Sequence, residues 1–313
     1  MRGGTADQNL ILLDEAPVYN ASHLLGFFST FNADAVKDAT LYKGTMPAPY
    51  GGRIASVLDI RMNEGNNRDY AASGGIGFIS SRLNVEGPIR KGKSSFLLTG
   101  RRTYLDLLTL TTSSPEKKST LLYFYDLNAK VNYQIDSRNR LFLSGYFGRD
   151  VLKFGNGSFG VDWGNATGTL RWNHLFSDRL FANTSFIYSR YDNKIDVKFG
   201  ANDFRISSRI EDYNLKQDFQ WFPNHRRTLK FGFQVIRHTV TPGSVEASET
   251  SDLVGGQEAQ KKYGLESAVF VSHEWQVSSR LNVAHGFRLS DYAVLGGGDF
   301  YTYDAEGRIL TAT

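Results

Sequence analysis

The chain has 313 residues, of which 41% are hydrophobic and 13% aromatic, with a formal net charge of +4 and no cysteine. The missing cysteine excludes a disulfide scaffold, a cysteine zinc site and a thiol nucleophile, and suits an oxidising compartment outside the cytoplasm. So small a charge, scattered along the chain, also excludes a nucleic-acid-binding stripe. Mean hydropathy is −0.35, and no apolar run approaches the ~18 residues of a transmembrane helix. The same values fit a transmembrane β-barrel, in which only every second strand residue meets lipid.

The first sixty-odd residues are compact and mixed. Asn9 to Asp14 reads as a short apolar strand ending at an acidic residue. His23 to Phe31 is an apolar loop carrying Phe27, Phe28 and Phe31. Asn32 can accept from a free backbone N–H and predicts the cap of a short helix over Ala33 to Asp38. Thr40 to Lys43 is β-prone. Pro47, Pro49, Gly51 and Gly52 then break regular structure, because proline lacks a donor and glycine tolerates positive φ. Ile54 to Met62 reads as a second strand, buried largely on both faces. Asn66 to Asp69 is a polar linker.

The run LYKGTMPAPYGGRIASVLDI, from Leu41 to Ile60, resembles the C-terminal half of the plug domain of TonB-dependent outer-membrane receptors. Its flavour is that of the Bacteroidetes receptors that carry a carboxypeptidase-like N-terminal extension. The opening MRGGTADQNLILLDEAPVYN resembles an earlier part of the same plug. Glu15 departs from the pattern, since glycine is usual after that Asp, and Pro49 sits where a basic residue is common. By motif the resemblance covers residues 1–90. It implies a plug motif with a structural or gating role, made of Arg2, Gly3, Gly4, Asp14, Tyr42, Gly44, Tyr50, Gly51, Gly52, Arg53 and Ser56. It also implies that Arg53 faces the barrel wall and binds lumen carboxylates, for which Glu86, Asp212 and Asp218 are candidates.

From Tyr70 onward two-residue alternation takes over. Ten strands are predicted, at 70–86, 94–108, 121–135, 140–153, 160–176, 180–198, 204–222, 228–240, 262–277 and 280–295. Tight polar turns fall at Gly87–Lys93, Asp136–Arg140, Ser177–Arg179, Pro223–Arg227 and Ser278–Arg280. Longer polar stretches near Thr109–Thr120, Phe154–Gly160, Gly200–Asp203 and Thr241–Lys262 alternate with them, which is the asymmetry of outer-membrane barrels. Tyr123, Tyr125, Leu127, Ala129, Val131 and Tyr133 share one face, while Asn128, Lys130, Asn132 and Gln134 share the other. Trp172, Phe176, Trp221, Phe222, Trp275 and Tyr133 sit near the tight turns, as an aromatic girdle would.

The resulting reading is mostly β. Residues 1–65 form a small α+β plug remnant and residues 66–313 a partial transmembrane antiparallel β-barrel, about ten of the twenty-two strands with which the resembled receptors close. The expectation is an open, curved sheet whose further strands lie beyond Thr313. The six His have no metal-binding spacing, and neither a nucleophile elbow nor a phosphate loop occurs. No catalytic residue, metal or cofactor is expected. The function implied is uptake, in a Gram-negative outer membrane, of a scarce bulky ligand such as an iron chelate, a cobalamin-like molecule or a glycan. Expected partners are outer-membrane lipid, an external ligand, and a TonB energy-coupling complex engaged through a segment N-terminal to Met1. A passive porin or adhesin barrel and a soluble glycan-binding β-protein are the alternatives.

Overall fold

The computed structural model describes residues 5–104, 106, 120–154, 158–199, 202–247, 260–296, 301–303 and 309–312. Its first strands are short: β1 (Asn9–Leu13), β2 (Ala16–Pro17), β3 (Ser22–His23), β4 (Phe28–Ser29), β5 (Val36–Lys43) and β6 (Ser56–Met62). β1 and β6 pair in parallel, Leu10 opposite Val57 and Leu13 opposite Ile60. They are the two inner strands of a sheet ordered β2-β1-β6-β5, which is why both read as apolar runs. β3 and β4 make a separate small hairpin.

The helix expected after Asn32 does not form. The Asn32 side chain accepts from the Asp34 N–H at 3.1 Å and its carbonyl from Ala35 at 2.9 Å, closing one turn. The β-branched Val36 then opens β5. The plug is therefore built of strands and 3-10 turns.

The wall is an eleven-stranded antiparallel meander in sequence order. It comprises β7 (Ala71–Ile76), β8 (Ser80–Arg90), β9 (Ser94–Thr103), β10 (Leu121–Gln134), β11 (Asn139–Phe154), β12 (Phe159–Ser177), β13 (Leu180–Phe199), β14 (Asn202–Asn224), β15 (Arg227–Ala247), β16 (Lys262–Gln276) and β17 (Asn282–Leu295). β18 (Tyr301–Tyr303) and β19 (Ile309–Ala312) pair with each other. One strand more appears than the sequence predicts, because 70–86 is split. Gly77 donates to the Ser80 carbonyl at 2.8 Å and turns the chain back on itself. Strand also extends into two predicted loops: β14 starts at Asn202, and β15 continues to Ala247. Residues 107–119 and 248–259 lie outside the described residues.

The wall must curve. The plug touches Arg82 on β8 and Arg288 on β17, and flat strands spaced ~4.8 Å apart would put those two about 43 Å from each other.

Its burial pattern is inverted relative to a soluble sheet. On β10 the polar Asp126, Asn128, Lys130 and Asn132 are buried, while Leu127, Val131 and Tyr133 are exposed. The same holds on β14, where Asp212 and Asn214 are buried and Tyr213 and Trp221 exposed. Near the tight turns, Trp172, Phe176, Trp221 and Tyr133 are exposed. Phe222 instead packs edge-on against Phe181 at 5.6 Å. Beyond Tyr188 and Tyr213 the apolar band gives way to ion pairs, Arg209–Asp192 at 2.5 Å and Arg205–Asp196 at 2.7 Å. From Trp221 to Tyr213 the band is about 20 Å tall at a ~40° strand tilt, close to the ~25 Å of an outer-membrane barrel.

Leu215→Arg, in mid-band, should therefore cost about 2–4 kcal/mol of stability in lipid vesicles, and Ser207→Arg, above the band, close to none. Urea unfolding of vesicle-folded protein measures both. Equal small effects would remove the membrane assignment of this face.

Candidate functional site

The site is the surface where plug meets wall, and it is held by polar groups. β1 ends in a two-residue turn onto β2, with Leu13 opposite Ala16. The turn residues Asp14 and Glu15 have φ of 46° and 75°. Glu15 thus occupies the left-handed conformation that explains the usual glycine there. Its carboxylate is held by Arg171 at 3.1 Å, with Lys216 at 3.9 Å. Asp14 is 6% exposed and Lys130 is 3% exposed. They pair at 2.9 Å, and Lys130 also donates to the Met62 carbonyl at 2.9 Å. Asp14 accepts from the Met62 N–H at 3.0 Å, so one carboxylate ties β1, β6 and the wall together.

A second cluster surrounds His23. Its Nδ1 lies 2.7 Å from Asp150 and its Nε2 3.4 Å from Asp126. Its ring stacks on Phe124 at 4.1 Å, and Tyr146 reaches Nε2 at 3.2 Å. Arg101 donates to Asp126 at 2.6 Å and to the Ser29 carbonyl at 2.7 Å. Burial disfavours the imidazolium, but the hydrogen bonds and charges of Asp126 and Asp150 outweigh it. The ring therefore titrates above its ordinary 6.5. Just beyond it, Leu24 and Leu25 both have positive φ, and the Leu24 N–H donates to Asp150 at 2.7 Å.

The third part is a cavity of about 460 Å³ between the plug and β11 to β16, lined by Tyr19, Tyr50, Arg53, Asp212, His238 and Glu266 among others. The Tyr19 hydroxyl donates to Asp212. Asp212 faces His238 Nδ1 at 2.8 Å, and Glu266 lies 3.7 Å from His238 Nε2 and 3.7 Å from Arg288. Arg288 closes the chain on the Pro49 carbonyl at 3.4 Å. Burial pushes the Tyr19 hydroxyl well up, with the Asp212 charge adding to it. Tyr50 is raised by burial and by Asp59, to which it donates at 2.9 Å.

The predicted plug residues scatter over this surface. Tyr50, Gly51, Gly52 and Arg53 line the cavity. A Cβ at Gly51 would meet the Arg288 guanidinium, so a larger residue there displaces that side chain. Gly52 has φ of 75°. Tyr42 packs on Tyr50 at 5.3 Å, Gly44 closes β5 at φ of 89°, and Ser56 donates to Asn9 at 2.6 Å inside the plug. Arg2, Gly3 and Gly4 lie outside the described residues.

Arg53 differs from expectation. Its guanidinium donates to the Gly52 carbonyl at 2.7 Å, and among the described residues it pairs with none of Glu86, Asp212 and Asp218. Asp218 is taken by Lys216 at 3.0 Å and Asp212 by Tyr19 and His238, so those charges are already answered. Sequence reasoning missed His23, His238, Lys130, Arg171 and Arg288. For the four wall residues the available signal was strand parity, which puts each on the polar face.

This is a plug-filled, inside-polar wall, the fold of TonB-dependent outer-membrane receptors. The copper transporter OprC superposes with a TM-score of 0.68 at 14% identity, over 100% of this chain and 51% of that one. The ferric enterobactin receptor PfeA of Pseudomonas aeruginosa gives 0.68 at 13%, over 93% and 50%. The siderophore receptor PirA of Acinetobacter baumannii gives 0.67 at 15%, over 94% and 50%. At such identities the likeness is one of fold, and the chain spans about half the length of these structures. No protein-family model and no curated protein sequence matches the chain.

Lys130→Met leaves the Asp14 carboxylate buried and unpaired, and should cost about 3–5 kcal/mol. Adding Asp14→Asn should return part of that loss, as read by protease nicking of the plug in urea. His23 supplies a pH dependence of the opposite sense to a carboxylate's. Its folded pKa is raised, so its contribution is complete below about 6.5 and fades as pH rises through the raised value. The stability difference between the native chain and His23→Gln should therefore shrink from pH 6 to pH 9. A difference that grows would reverse the assignment.

Proposed function

We propose that residues 1–65 are the plug and residues 66–313 the adjoining half of the wall of an outer-membrane uptake receptor in a Gram-negative bacterium. The function is binding and transport without bond chemistry. The observation that carries this is the way the plug is held inside the lumen. The buried apolar cluster at their junction is mostly plug, with only Leu97 and Tyr146 from the wall. Outside that cluster the contacts are mostly ion pairs and hydrogen bonds, with Phe124 of the wall packed on His23 and Phe28. Water can answer such contacts when the plug moves, whereas a continuous apolar core would fix it in place.

The similar structures include a copper transporter and siderophore receptors, which supports a metal chelate over a cobalamin-like or glycan ligand. A TonB-type energy-coupling complex is the partner that would supply the force on the plug.

The chain has no cysteine, so a plug–wall disulfide can be introduced cleanly. Asn32 Nδ2 donates to Thr99 Oγ1 at 3.3 Å across the interface. In cells making the protein, an Asn32→Cys, Thr99→Cys pair should block uptake of a radiolabelled ferric siderophore when oxidised and restore it on reduction. Uptake indifferent to oxidation, with the disulfide verified, would favour a passive barrel.

A further inference from the structure

The lipid-facing side of β11 to β15 is unevenly filled. Gly168 lies at its centre, and a Cβ placed there would meet no heavy atom within 4 Å. Leu143, Leu170, Phe186, Leu215 and Val235 surround the gap and make a groove of about 450 Å³. Its upper rim is different in kind, being formed by Tyr188, Tyr213 and Arg237.

Arg237 is exposed, in register opposite Tyr213 on β14 and Leu265 on β16. Its guanidinium lies 5.8 Å from the centroid of the Tyr263 ring. Among the described residues it has no carboxylate partner. The arginines further out do: Arg190 and Arg209 hold Asp192 at 2.9 and 2.5 Å, and Arg205 holds Asp196 at 2.7 Å. Glu211, diagonal to Arg237 across the strand pair, accepts the Tyr188 hydroxyl at 3.2 Å.

Arg237 stands ten residues along β15 from Arg227, the first residue after the inner turn. At a ~40° tilt that is about 25 Å up the membrane normal, which is the headgroup level of the outer leaflet. A cation at that height, with tyrosines beside it and a dry trough directly beneath, is complementary to an amphiphile with a negative head and a hydrocarbon tail. The guanidinium fork suits phosphate oxygens.

We propose that this groove binds an acyl chain of an anionic phosphate-bearing lipid of the outer leaflet, with Arg237 on the phosphate and Gly168 leaving room for the chain. The inference rests on the membrane-barrel reading.

The test is native mass spectrometry of the chain folded in a nonionic detergent, titrated with dioleoyl phosphatidylglycerol or with dioleoylglycerol, which has the same chains and no phosphate. The native chain should retain the anionic lipid about tenfold better, as one charge-assisted hydrogen bond allows. Arg237→Gln should abolish that preference and leave dioleoylglycerol retention unchanged. Gly168→Leu, which fills the groove, should weaken retention of both lipids. Excess inorganic phosphate should displace neither. An undiminished preference in Arg237→Gln, full retention in Gly168→Leu, or displacement by free phosphate would each overturn the proposal. Folding of each variant is checked by heat-modifiable migration on gels. A native chain that folds in detergent but shows no lipid preference removes the lipid site alone, whereas one that stays in solution without detergent removes the barrel reading itself.

Discussion

A wall whose buried face is polar can be held only by partners that answer its groups one at a time. An unanswered buried amide or hydroxyl costs roughly 1–3 kcal/mol, and an unanswered charge more. Here the plug gives the answers, often with its backbone. Lys130 takes the Met62 carbonyl, Asn132 and Ser95 take that of Glu64, Arg101 that of Ser29, Ser189 that of Pro17 and Asn165 that of Asn20. The wall brings the donors and the plug brings chain ends and turns. This explains why so many short strands are tolerable in the plug: carbonyls left over at their ends are used by the wall rather than wasted.

The energetics of such an interface differ from those of a core. Bringing Asp14 and Lys130 out of water costs about as much as their attraction returns, so the pair fixes position more than it adds stability. Among the described residues the wall's apolar share of the junction is small: Leu97 and Tyr146 in the buried cluster, and Phe124 against His23 and Phe28. An interface of this kind is specific in register and inexpensive to rehydrate. On the proposed reading, a plug that stays seated until it is pulled needs that balance.

The wall was legible because its signal is periodic and redundant. On β10 every second residue from Tyr123 to Tyr133 is apolar or small, and no neighbouring strand is needed to see it. The strand ends followed from turn residues such as Asp136, whose carboxylate accepts from the Arg138 and Asn139 N–H groups at 2.7 and 2.8 Å. The plug was legible only through its resemblance, and its site less so. His23 sits in a run of apolar residues with nothing local to mark it. Its partners Asp126 and Asp150 are more than a hundred residues away in sequence, on two adjacent strands. Parity does put both carboxylates on the lumen face, but it does not say which plug residue meets them. The Asn32 turn failed for a local reason, because the same side-chain geometry that caps a helix also closes a single turn before a strand. Arg53 failed for an electrostatic one, because Asp212 and Asp218 already had closer cations or donors.

Backbone strain ties these pieces together. Among the described residues, the non-glycine positions with positive φ are Asp14, Glu15, Leu24 and Leu25. All four lie in the plug, and three of them are held directly by the wall: Asp14 by Lys130, Glu15 by Arg171, and the Leu24 N–H by Asp150. A left-handed residue of this kind costs roughly 1–2 kcal/mol, and persists only where its surroundings over-determine it. The surroundings here are the wall, so the plug's two strained turns take their shape from the same contacts that seat it. Leu25 and Phe27, 75% and 85% exposed, project from the second of these turns. The Leu24 N–H that Asp150 holds lies at the base of that tip, so the wall fixes the backbone from which these two apolar side chains stand out.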